Sequence, residues 1–353
     1  MSNKVKIGII GCGGISEAHL DGYEKCSDVE VYAFCDINPE RLKQQAEKYG
    51  VEHTFTDYNE MLKLSEIDAV SICTPNAVHA TATIAALNAG KHVLCEKPMA
   101  TSAEDSKKMK EVAEKNGKLL QIGFVRRYGQ DMTILKDMIA NDRFGEIYYG
   151  KVCYLRRNGN PGGWFALKEI SGGGPLIDLG VHVIDYIRYA LGNPKPVSVY
   201  GATFTKLLNR PGIKTPPPYI ARSAKEYSGC DVEDLATAMI RFDNGFVLQV
   251  ETSFALNMKE DRTDIELFGT KGGAKFSPDL EIYSEMDGFM SDVTLKADTN
   301  LDFTPAFRRE IRHFVDCVKG EAKTVAPAED GIEIMKILDG IYKSAETGHE
   351  VLL

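Results

Sequence analysis

The chain has 353 residues, of which 43% are hydrophobic and 26% are charged. This is the composition of an ordinary globular protein, and the length is sufficient for two packed domains. The 51 acidic residues outnumber the 42 basic ones and give a net charge of -9. Such a field repels phosphate backbones and anionic membranes, so we expect neither a nucleic-acid nor a membrane partner.

The eight cysteines are scattered and form no CxxC pair, and several lie in apolar, strand-like runs such as VSICTP. Their positions are Cys12, Cys26, Cys35, Cys73, Cys95, Cys153, Cys230 and Cys317. This distribution indicates reduced packing residues. Residues 1–10 lack the pattern of a signal peptide, and no apolar run approaches the ~18–20 residues of a membrane helix. We therefore expect a cytoplasmic enzyme.

From residue 4 to 124, short apolar runs alternate with amphipathic stretches of helical period. Runs that are apolar throughout are typical of strands buried on both faces. The predicted strands are VKIGIIG, VEVYAFCD, DAVSICTP, HVLCEKP and KLLQIGF. The predicted helices follow Asn38-Pro39 and cover Asn76 to Asn88 and Ser102 to Asn116. This alternation predicts an α/β fold, with a doubly wound parallel sheet in a Rossmann domain over residues 1–124.

After residue 124 the strand-like runs become longer and alternate between apolar and polar residues. They are EIYYGKVCYLRR, PVSVYGATFTKL, LATAMIRF and FVLQVETSF, and Asn244-Gly245 between the last two predicts a hairpin. Helices are expected over Pro175–Leu191, Pro305–Lys319 and Glu329–Glu346. The pattern predicts a second, α+β domain over residues 125–353 with a largely antiparallel sheet. We expect this domain to bind the substrate and to mediate oligomerisation.

One long loop is predicted over Asn209–Gly229, which contains three consecutive prolines at 216–218. A loop of this length is often functional. Two roles remain open for it: a lid over the site, or a contact between subunits.

The first strand runs into a GxGxxG-like turn in which Ser16 replaces the third glycine. Gly11 suits the tight turn, and Gly13 lets the backbone approach a pyrophosphate at the N-terminus of the following helix. The contacts expected with NAD from this turn are Gly11, Gly13, Gly14 and Ile15. The alternative is a glycine-rich turn that binds no ligand.

Asp36 closes the second strand, where an acidic side chain accepts hydrogen bonds from the adenosine ribose and repels a 2′-phosphate. This favours NAD over NADP, although the nearby Arg41 argues in the opposite direction. The alternative role for Asp36 is a helix cap before Asn38-Pro39.

Two further strands also end in polar residues, and in an open parallel sheet ligands bind beyond these carboxyl ends. Thr74-Pro75-Asn76 follows one strand, with His79 one turn into the next helix. Glu96 and Lys97 end the next strand before Pro98, which favours extended backbone before it. We expect the side chain of Lys97 to point into the crevice. The residues expected to contact NAD here are Thr74, Pro75, Asn76, His79, Glu96 and Lys97. The alternatives are an N-cap for Asn76, a hydrogen-bonded helix residue for His79 and a solvated charge for Lys97.

The segment from Gly172 to Asp185 opens a helix with three glycines and Pro175. Asp178 and His182 stand at i and i+4, on one face and among apolar neighbours. A carboxylate one turn from an imidazole fixes its tautomer and raises its basicity, as general acid–base catalysis requires. There are two alternatives. The first is a buried Asp–His pair whose side chains only satisfy each other's hydrogen bonds, and the second is a metal site formed by Asp178, His182 and Asp185. We expect no metal, because nothing else in the chain supplies an obvious third strong ligand and hydride transfer does not need a metal.

Four motifs occur in order: GxGxxS after the first strand, CTPN followed by His, EKP closing a strand, and GGG-x3-D-x-G-x-H opening a helix. In this order they resemble the glucose-fructose oxidoreductase / inositol dehydrogenase / MocA (Gfo/Idh/MocA) family over most of the chain, including FDNG. The resemblance implies transfer of a hydride between NAD and a secondary alcohol of a sugar, glycoside or polyol. It also implies that Lys97, Asp178 and His182 are the catalytic residues.

In this interpretation NAD lies across the sheet edge, and the sugar lies between the nicotinamide and the helix of Asp178 and His182. His182 takes the hydroxyl proton, Lys97 donates a hydrogen bond to the same oxygen, and Asp178 orients the imidazole. Further candidates for holding the sugar or the cofactor amide are Arg126, Arg127, Tyr154, Arg156 and Trp164. The segment from Tyr154 to Trp164 resembles family members that act on glucosides or anhydro-sugars.

Two other functions remain open. The first is a redox-neutral glycosidase that oxidises the sugar transiently and retains its NAD, and the second is a non-catalytic NAD-sensing or ligand-sensing module. A sheet with one uncovered face usually finds a partner, so we also expect a homodimer or homotetramer.

Overall fold

A computed structural model of the protein describes residues 4–209, 213–299 and 302–353. The chain forms two compact units. The first comprises Met1–Val125 and Phe303–Met335, and the second comprises Arg126–Asp302 and Lys336–Leu353. The sequence predicted domains over residues 1–124 and 125–353. The two units differ from these domains because residues 303–335 pack with the first unit. The division into domains stays a prediction.

The strands and helices are numbered in chain order. The strands are β1 (Val5–Ile10), β2 (Val29–Cys35), β3 (His53–Phe55), β4 (Ala69–Ile72), β5 (His92–Glu96), β6 (Leu120–Gly123), β7 (Ile147–Leu155), β8 (Pro196–Phe204), β9 (Leu235–Phe242), β10 (Val247–Ser253), β11 (Arg262–Gly269), β12 (Gly272–Phe276), β13 (Leu280–Met286), β14 (Phe289–Val293) and β15 (Val351–Leu352). The helices are α1 (Gly14–Glu24), α2 (Pro39–Tyr49), α3 (Tyr58–Met61), α4 (Asn76–Asn88), α5 (Ala103–Asn116), α6 (Gln130–Ala140), α7 (Lys168–Ser171), α8 (Val181–Ala190), α9 (Phe303–Val318) and α10 (Ala328–Thr347).

The first unit is built on a parallel sheet with strand order β3-β2-β1-β4-β5-β6. Every residue of β4 and β6 is buried, because helices cover both faces of the sheet. The doubly wound parallel sheet is therefore confirmed. Strand β3 was not predicted, since it is three residues long and its first two residues, His53 and Thr54, are exposed.

The second unit contains a nine-stranded sheet with the order β14-β13-β12-β11-β7-β10-β9-β8-β15. Strands β7 and β10 run parallel, and the other neighbouring pairs in the described part of the chain are antiparallel. In β9 buried residues alternate with more exposed ones, which confirms a strand with one covered face. The hairpin at Asn244-Gly245 is also confirmed, with Gly245 at φ +85° between β9 and β10.

The helix expected over Pro175–Leu191 consists of two parts. Residues Leu176–Gly180 form one π-helical turn, and α8 continues as an ordinary helix. Apolar residues buried on several sides of the turn, such as Leu176, Ile177 and Leu179, give no period that would distinguish π from α. A π-turn inside a helix occurs frequently at functional sites.

The eight cysteines are all free, and six of them are buried. Burial raises the pKa of the Cys12 and Cys95 thiols to about 12, which keeps them protonated and unreactive near neutral pH. Among the helices of the described residues, none combines the length and the apolar character that crossing a membrane requires.

Helix α1 packs closely against α9 in the first unit. A Cβ atom at Gly22 would lie 2.7 Å from Cγ1 and 2.8 Å from Cβ of Ile311. Real Cβ contacts are longer, and Ile311 is completely buried, so it has no room to withdraw. The glycine at position 22 is therefore required by the approach of the two helices.

We expect Gly22→Ala to destabilise the protein by about 1–3 kcal/mol, since overpacking outweighs the better helix propensity of alanine. Thermal unfolding measures the effect. Glu24→Ala, at an exposed position of the same helix, serves as the control and should leave the melting temperature nearly unchanged. A Gly22→Ala protein as stable as the wild type would contradict this account of the helix contact.

Candidate active site

The glycine-rich turn lies between the carboxyl ends of β2 and β4. Gly11 has φ +93°, and a Cβ atom there would lie 2.6 Å from the carbonyl oxygen of Cys73. The amide of Gly11 also donates to the carbonyl of Cys35 at 2.8 Å. Both the backbone conformation and the close approach therefore require glycine at this position.

The end of the turn fits a dinucleotide. Gly13 is the N-cap of α1, with no side-chain hydrogen bond to the cap, and a Cβ atom there would meet no atom within 4 Å. Gly14 beside it is exposed and Ile15 is half-buried, whereas the buried Ser16 turns its hydroxyl back to the Gly13 carbonyl at 2.7 Å. Open space in front of unsatisfied helix amides is what a pyrophosphate needs, so these residues fit NAD.

Asp36 is buried and binds two backbone amides and one guanidinium. Its Oδ2 accepts from the amide of Cys12 at 2.7 Å, and its Oδ1 accepts from the amide of Asn38 at 2.8 Å. Arg41 adds a forked ion pair at 3.1 and 3.2 Å. Asn38, rather than Asp36, is the N-cap of α2 and accepts from the amides of residues 40 and 41.

His79 connects the ends of β4 and β5. Its Nδ1 lies 2.7 Å from the carbonyl oxygen of Pro98, and its Nε2 lies 3.0 Å from that of Thr74. Both oxygens can only accept, so two simultaneous bonds require the imidazolium, whereas burial lowers the pKa of His79 and favours the neutral ring. Asn76 is buried as the first residue of α4, and the N-cap is Pro75.

Glu96 and Lys97 follow at the end of β5 and differ in exposure. Glu96 is buried, with Oε1 at 2.8 Å from Nε2 of His19 and Oε2 accepting from the amide of Lys97 at 3.1 Å. Within residues 93–100, all of which the structure describes, Lys97 alone is not buried. The Lys97-Pro98 peptide bond is cis. The strand thus presents the lysine beyond its carboxyl end, as the sequence predicted.

In the second unit, Asp178 lies in the π-helical turn and His182 in the first turn of α8. Both are half-buried, and every other residue from 173 to 188 in this fully described stretch is buried. The two side chains therefore form the open stripe of an otherwise enclosed helix, which agrees with the pattern expected from the sequence.

The glycines before this helix make room for a carboxylate. A Cβ atom at Gly173 would lie 2.0 Å from the Tyr342 hydroxyl, and one at Gly174 would lie 2.4 Å from the Glu233 carbonyl. Glu233 accepts from the amides of Gly174 at 2.9 Å and Leu176 at 3.2 Å and from the Tyr342 hydroxyl at 2.9 Å. Burial raises the pKa of Glu233, and these hydrogen bonds act against that shift. The carboxylate holds the N-terminus of the helix that carries Asp178 and His182.

Asp185 pairs with Arg127. Its Oδ1 lies 2.5 Å from Nη2 of Arg127, both side chains are almost completely buried, and the guanidinium lies 4.5 Å from the ring centroid of Tyr189. This pairing accounts for Asp185 without a metal. Among residues 4–209, 213–299 and 302–353, no three His, Cys, Asp or Glu side chains are grouped so that they could hold a metal ion.

The other candidates for the sugar pocket have different surroundings. Arg126 is almost completely buried, 5.7 Å from the ring centroids of both Tyr186 and Phe276. The guanidinium of Arg156 lies 5.4 Å from the Tyr154 ring, and its Nη1 donates to the Gly159 carbonyl at 3.0 Å. Trp164 is half-buried and stacks on Phe165, with the ring centroids 3.8 Å apart.

The long loop packs on the segment that contains Trp164. The amide of Ala221 donates to the Pro161 carbonyl at 2.9 Å, and Asn158 donates to the Thr215 carbonyl at 2.6 Å. Residues 210–212 of the predicted loop lie outside the described residues. Both expected roles of the loop, lid and subunit contact, stay predictions.

The structure thus brings the predicted nucleotide residues together along one edge of the parallel sheet, at the ends of β1, β2, β4 and β5. Sequence reasoning missed the supporting side chains, which are His19 and Ser71 in the first unit and Glu233 and Tyr342 beside the helix of Asp178 and His182 in the second. Their hydrogen-bond partners are distant in the sequence. The bonds of His19 to Ser71 and Glu96, and of Glu233 to Gly174 and Tyr342, join residues that are 52 to 109 positions apart. The one available signal was a polar residue within an apolar run, as for Ser71 in β4.

Comparisons with known proteins extend this description. Residues 5–124 match the oxidoreductase family model described as an NAD-binding Rossmann fold, and residues 136–353 match its C-terminal alpha/beta domain. The D-glucoside 3-dehydrogenase of Escherichia coli (strain K12) is 36% identical over 357 residues, which cover 100% of this chain and 98% of that protein. The myo-inositol 2-dehydrogenase of Thermotoga maritima is 28% identical over 76% of this chain and 74% of that protein.

Solved structures have the same architecture. A levoglucosan dehydrogenase in complex with NADH has a TM-score of 0.88 at 25% identity and covers 99% of both chains. Its complex with NADH and levoglucosan has a TM-score of 0.87 with the same coverage. Both parts of the chain match the family models, so the resemblance carried by the four motifs is confirmed. The chain belongs to the Gfo/Idh/MocA family of oxidoreductases.

Proposed function

We propose that this NAD-dependent oxidoreductase transfers a hydride between NAD and a secondary alcohol of a sugar or glycoside, with glucosides as the first class to test. The observation that carries the proposal is the open pair Asp178 and His182 on an otherwise buried helix. The full-length likeness to a D-glucoside 3-dehydrogenase supports the choice of substrate class. These relatives are dehydrogenases and give no support to the glycosidase alternative.

The chemistry divides between three side chains. When bound, NAD supplies the acceptor for the hydride that leaves the carbinol carbon. His182 takes the hydroxyl proton as a general base, and Asp178 orients the imidazole and stabilises its protonated form. Lys97 donates a hydrogen bond to the same oxygen and stabilises the developing alkoxide charge. We assign further contacts with the sugar to Tyr154, Arg156 and Trp164. Arg126, which is almost completely buried, is a further candidate for holding the sugar or the cofactor amide.

We assign the preference for NAD over NADP to Asp36, because its carboxylate accepts hydrogen bonds from the ribose hydroxyls and repels a 2′-phosphate. Arg41 is forked onto the same carboxylate, with its side chain about one-fifth exposed. Asp36 and Arg41 therefore set the preference for NAD together, because Asp36 binds the Arg41 guanidinium that would otherwise be available to a 2′-phosphate.

We also propose a homodimer or homotetramer that assembles through the outer face of the nine-stranded sheet. This face presents Tyr200, Phe204 and Met239 on the neighbouring strands β8 and β9, with 41 to 55% of each side chain exposed. Exposed apolar side chains adjacent on a sheet are typical of an interaction surface. We also propose a cytoplasmic location, which is supported by the eight free cysteines because they suit a reducing compartment.

We expect NADH to form when the protein is mixed with NAD and alkyl glucosides, with weaker turnover of anhydro-sugars and inositols. The measurement is a panel of these compounds with NAD and with NADP, followed by absorbance and by product analysis. Cleavage of the glycosidic bond without net NADH would contradict the dehydrogenase and select the redox-neutral glycosidase.

We expect Asp36→Ala to narrow the preference for NAD, because it removes the repelling charge and releases Arg41 to pair with a 2′-phosphate. Arg41→Ala in the Asp36→Ala background should remove most of the gain with NADP. The ratio of kcat/KM for the two cofactors measures both effects. A wild-type protein that used NADP as efficiently as NAD would be inconsistent with this role of Asp36.

We expect His182→Ala to lower turnover by roughly 10²–10⁴-fold, the usual contribution of a positioned general base, and the deficit to shrink as pH rises and hydroxide substitutes for the base. Asp178→Asn should cost less, since the imidazole remains. Because the two residues act as one unit, the double variant should be little worse than His182→Ala alone. Additive losses, or activity that depends on an added divalent metal, would refute the pair mechanism.

A further inference from the structure

A continuous chain of buried polar side chains crosses the first unit beneath the nucleotide turn. The Tyr23 hydroxyl lies 2.8 Å from Oγ of Ser71, which lies 3.1 Å from Nδ1 of His19. Nε2 of His19 lies 2.8 Å from Oε1 of Glu96, and Oε2 of Glu96 accepts from the amide of Lys97. These four residues, Tyr23, Ser71, His19 and Glu96, are each at most 5% exposed. No part of the proposed reaction accounts for this chain of hydrogen bonds.

The direction of the hydrogen bonds at its centre is fixed by the chemistry of the groups. A carboxylate oxygen accepts, so in the pair with Glu96 the hydrogen lies on Nε2 of His19. Burial raises the pKa of Tyr23 far above its usual value, so its hydroxyl remains protonated. Each polar group in the chain thereby has a partner, which is the condition for burying such a network.

The chain links two parts of the cofactor edge. His19 lies on α1, the helix whose N-terminus follows the glycine turn, and Glu96 immediately precedes Lys97. The Glu96 side chain lies against β6, and glycine at position 123 makes room for it, because a Cβ atom there would lie 3.1 Å from Oε1 and 3.2 Å from Cα of Glu96. Two hydrogen bonds hold the carboxylate, one with Nε2 of His19 on α1 and the other with the backbone amide of Lys97.

We propose that His19 is a positioning residue for the dehydrogenase reaction: through Glu96 it fixes the backbone of Lys97 relative to the helix that receives the pyrophosphate. This inference rests on the catalytic role proposed for Lys97. His19 itself is fully buried, so it has no accessible surface for a cofactor or substrate to contact. Its effect on the rate comes from keeping a hydrogen-bond donor in place, since small displacements of such groups are costly.

The test uses polar replacements, because each keeps one of the two side-chain hydrogen bonds of His19, whereas an apolar residue would lose both and destabilise the fold. The amide nitrogen of glutamine takes the place of Nε2, whereas that of asparagine takes the place of Nδ1. His19→Gln therefore keeps the bond to Glu96, and His19→Asn keeps only the contact with Ser71. Thermal unfolding establishes that both variants are folded before they are compared.

We expect His19→Asn to lower kcat by about 10²-fold, the scale of a misplacement of roughly 1 Å, while the dissociation constant of NAD stays close to that of the wild type. His19→Gln should retain most of the wild-type kcat. Equal losses in the two variants, or a rise in the NAD dissociation constant that matches the fall in kcat, would overturn the inference.

Hydrogen exchange gives a readout that does not depend on turnover. The amide of Lys97 should exchange faster in His19→Asn than in the wild type or in His19→Gln, because its acceptor on Glu96 is no longer held. Amides of β1 and β2 should be unchanged and serve as the internal control. Unchanged protection of Lys97 in a slow His19→Asn variant would refute an effect transmitted through Glu96.

A double-mutant cycle separates this inference from the proposed function. If His19 acts through Lys97, adding His19→Asn to Lys97→Ala should lower kcat little further. Additive losses would overturn the positioning role of His19 and leave the role of Lys97 intact. Near wild-type turnover of Lys97→Ala would instead refute the catalytic role of Lys97 and, with it, the inference that depends on it.

Discussion

The organisation of the nucleotide edge depends on one buried carboxylate. Asp36 accepts from the amides of Cys12 and Asn38 and from the guanidinium of Arg41. A carboxylate that is only 7% exposed must have such partners, so its burial forces the turn after β1, the end of β2 and the start of α2 into one arrangement. Gly11 can then approach β4 as closely as it does, and the helix amides that receive a pyrophosphate acquire a fixed position relative to the ribose edge.

The sequence predicted those elements whose burial is complete or strictly alternating. Strands such as β4 and β6 are apolar throughout because both faces of the sheet are covered, and β9 alternates because one face is covered. Six strands, β3 and β11 to β15, were not predicted, and in β3 and β14 most residues are exposed and carry no burial pattern. Their place in the sheets is determined by hydrogen bonds to neighbouring strands, and composition does not encode that pairing.

For the candidate site, the sequence predicted the residues with characteristic chemistry and missed those that support them. Asp178 and His182 were predicted because their spacing places them on one face of a helix. The need for Gly173 and Gly174 becomes visible only with the fold, because Tyr342 and Glu233 approach them from distant parts of the chain. The π-turn at Asp178 was equally hidden, since its surrounding residues are buried on several sides.

Three carboxylates in this protein perform the same physical task at different places. Asp36 accepts from the amide of Cys12, Glu96 from that of Lys97, and Glu233 from that of Gly174. Each is buried and binds backbone next to a residue with a proposed role, so each fixes the position of a neighbour. A hydrogen bond in a low-dielectric surrounding is electrostatically stronger than the same bond in water. Side chains whose positions are fixed before the substrate binds do not have to reorganise during the reaction. A lysine or histidine held in this way stabilises developing charge effectively.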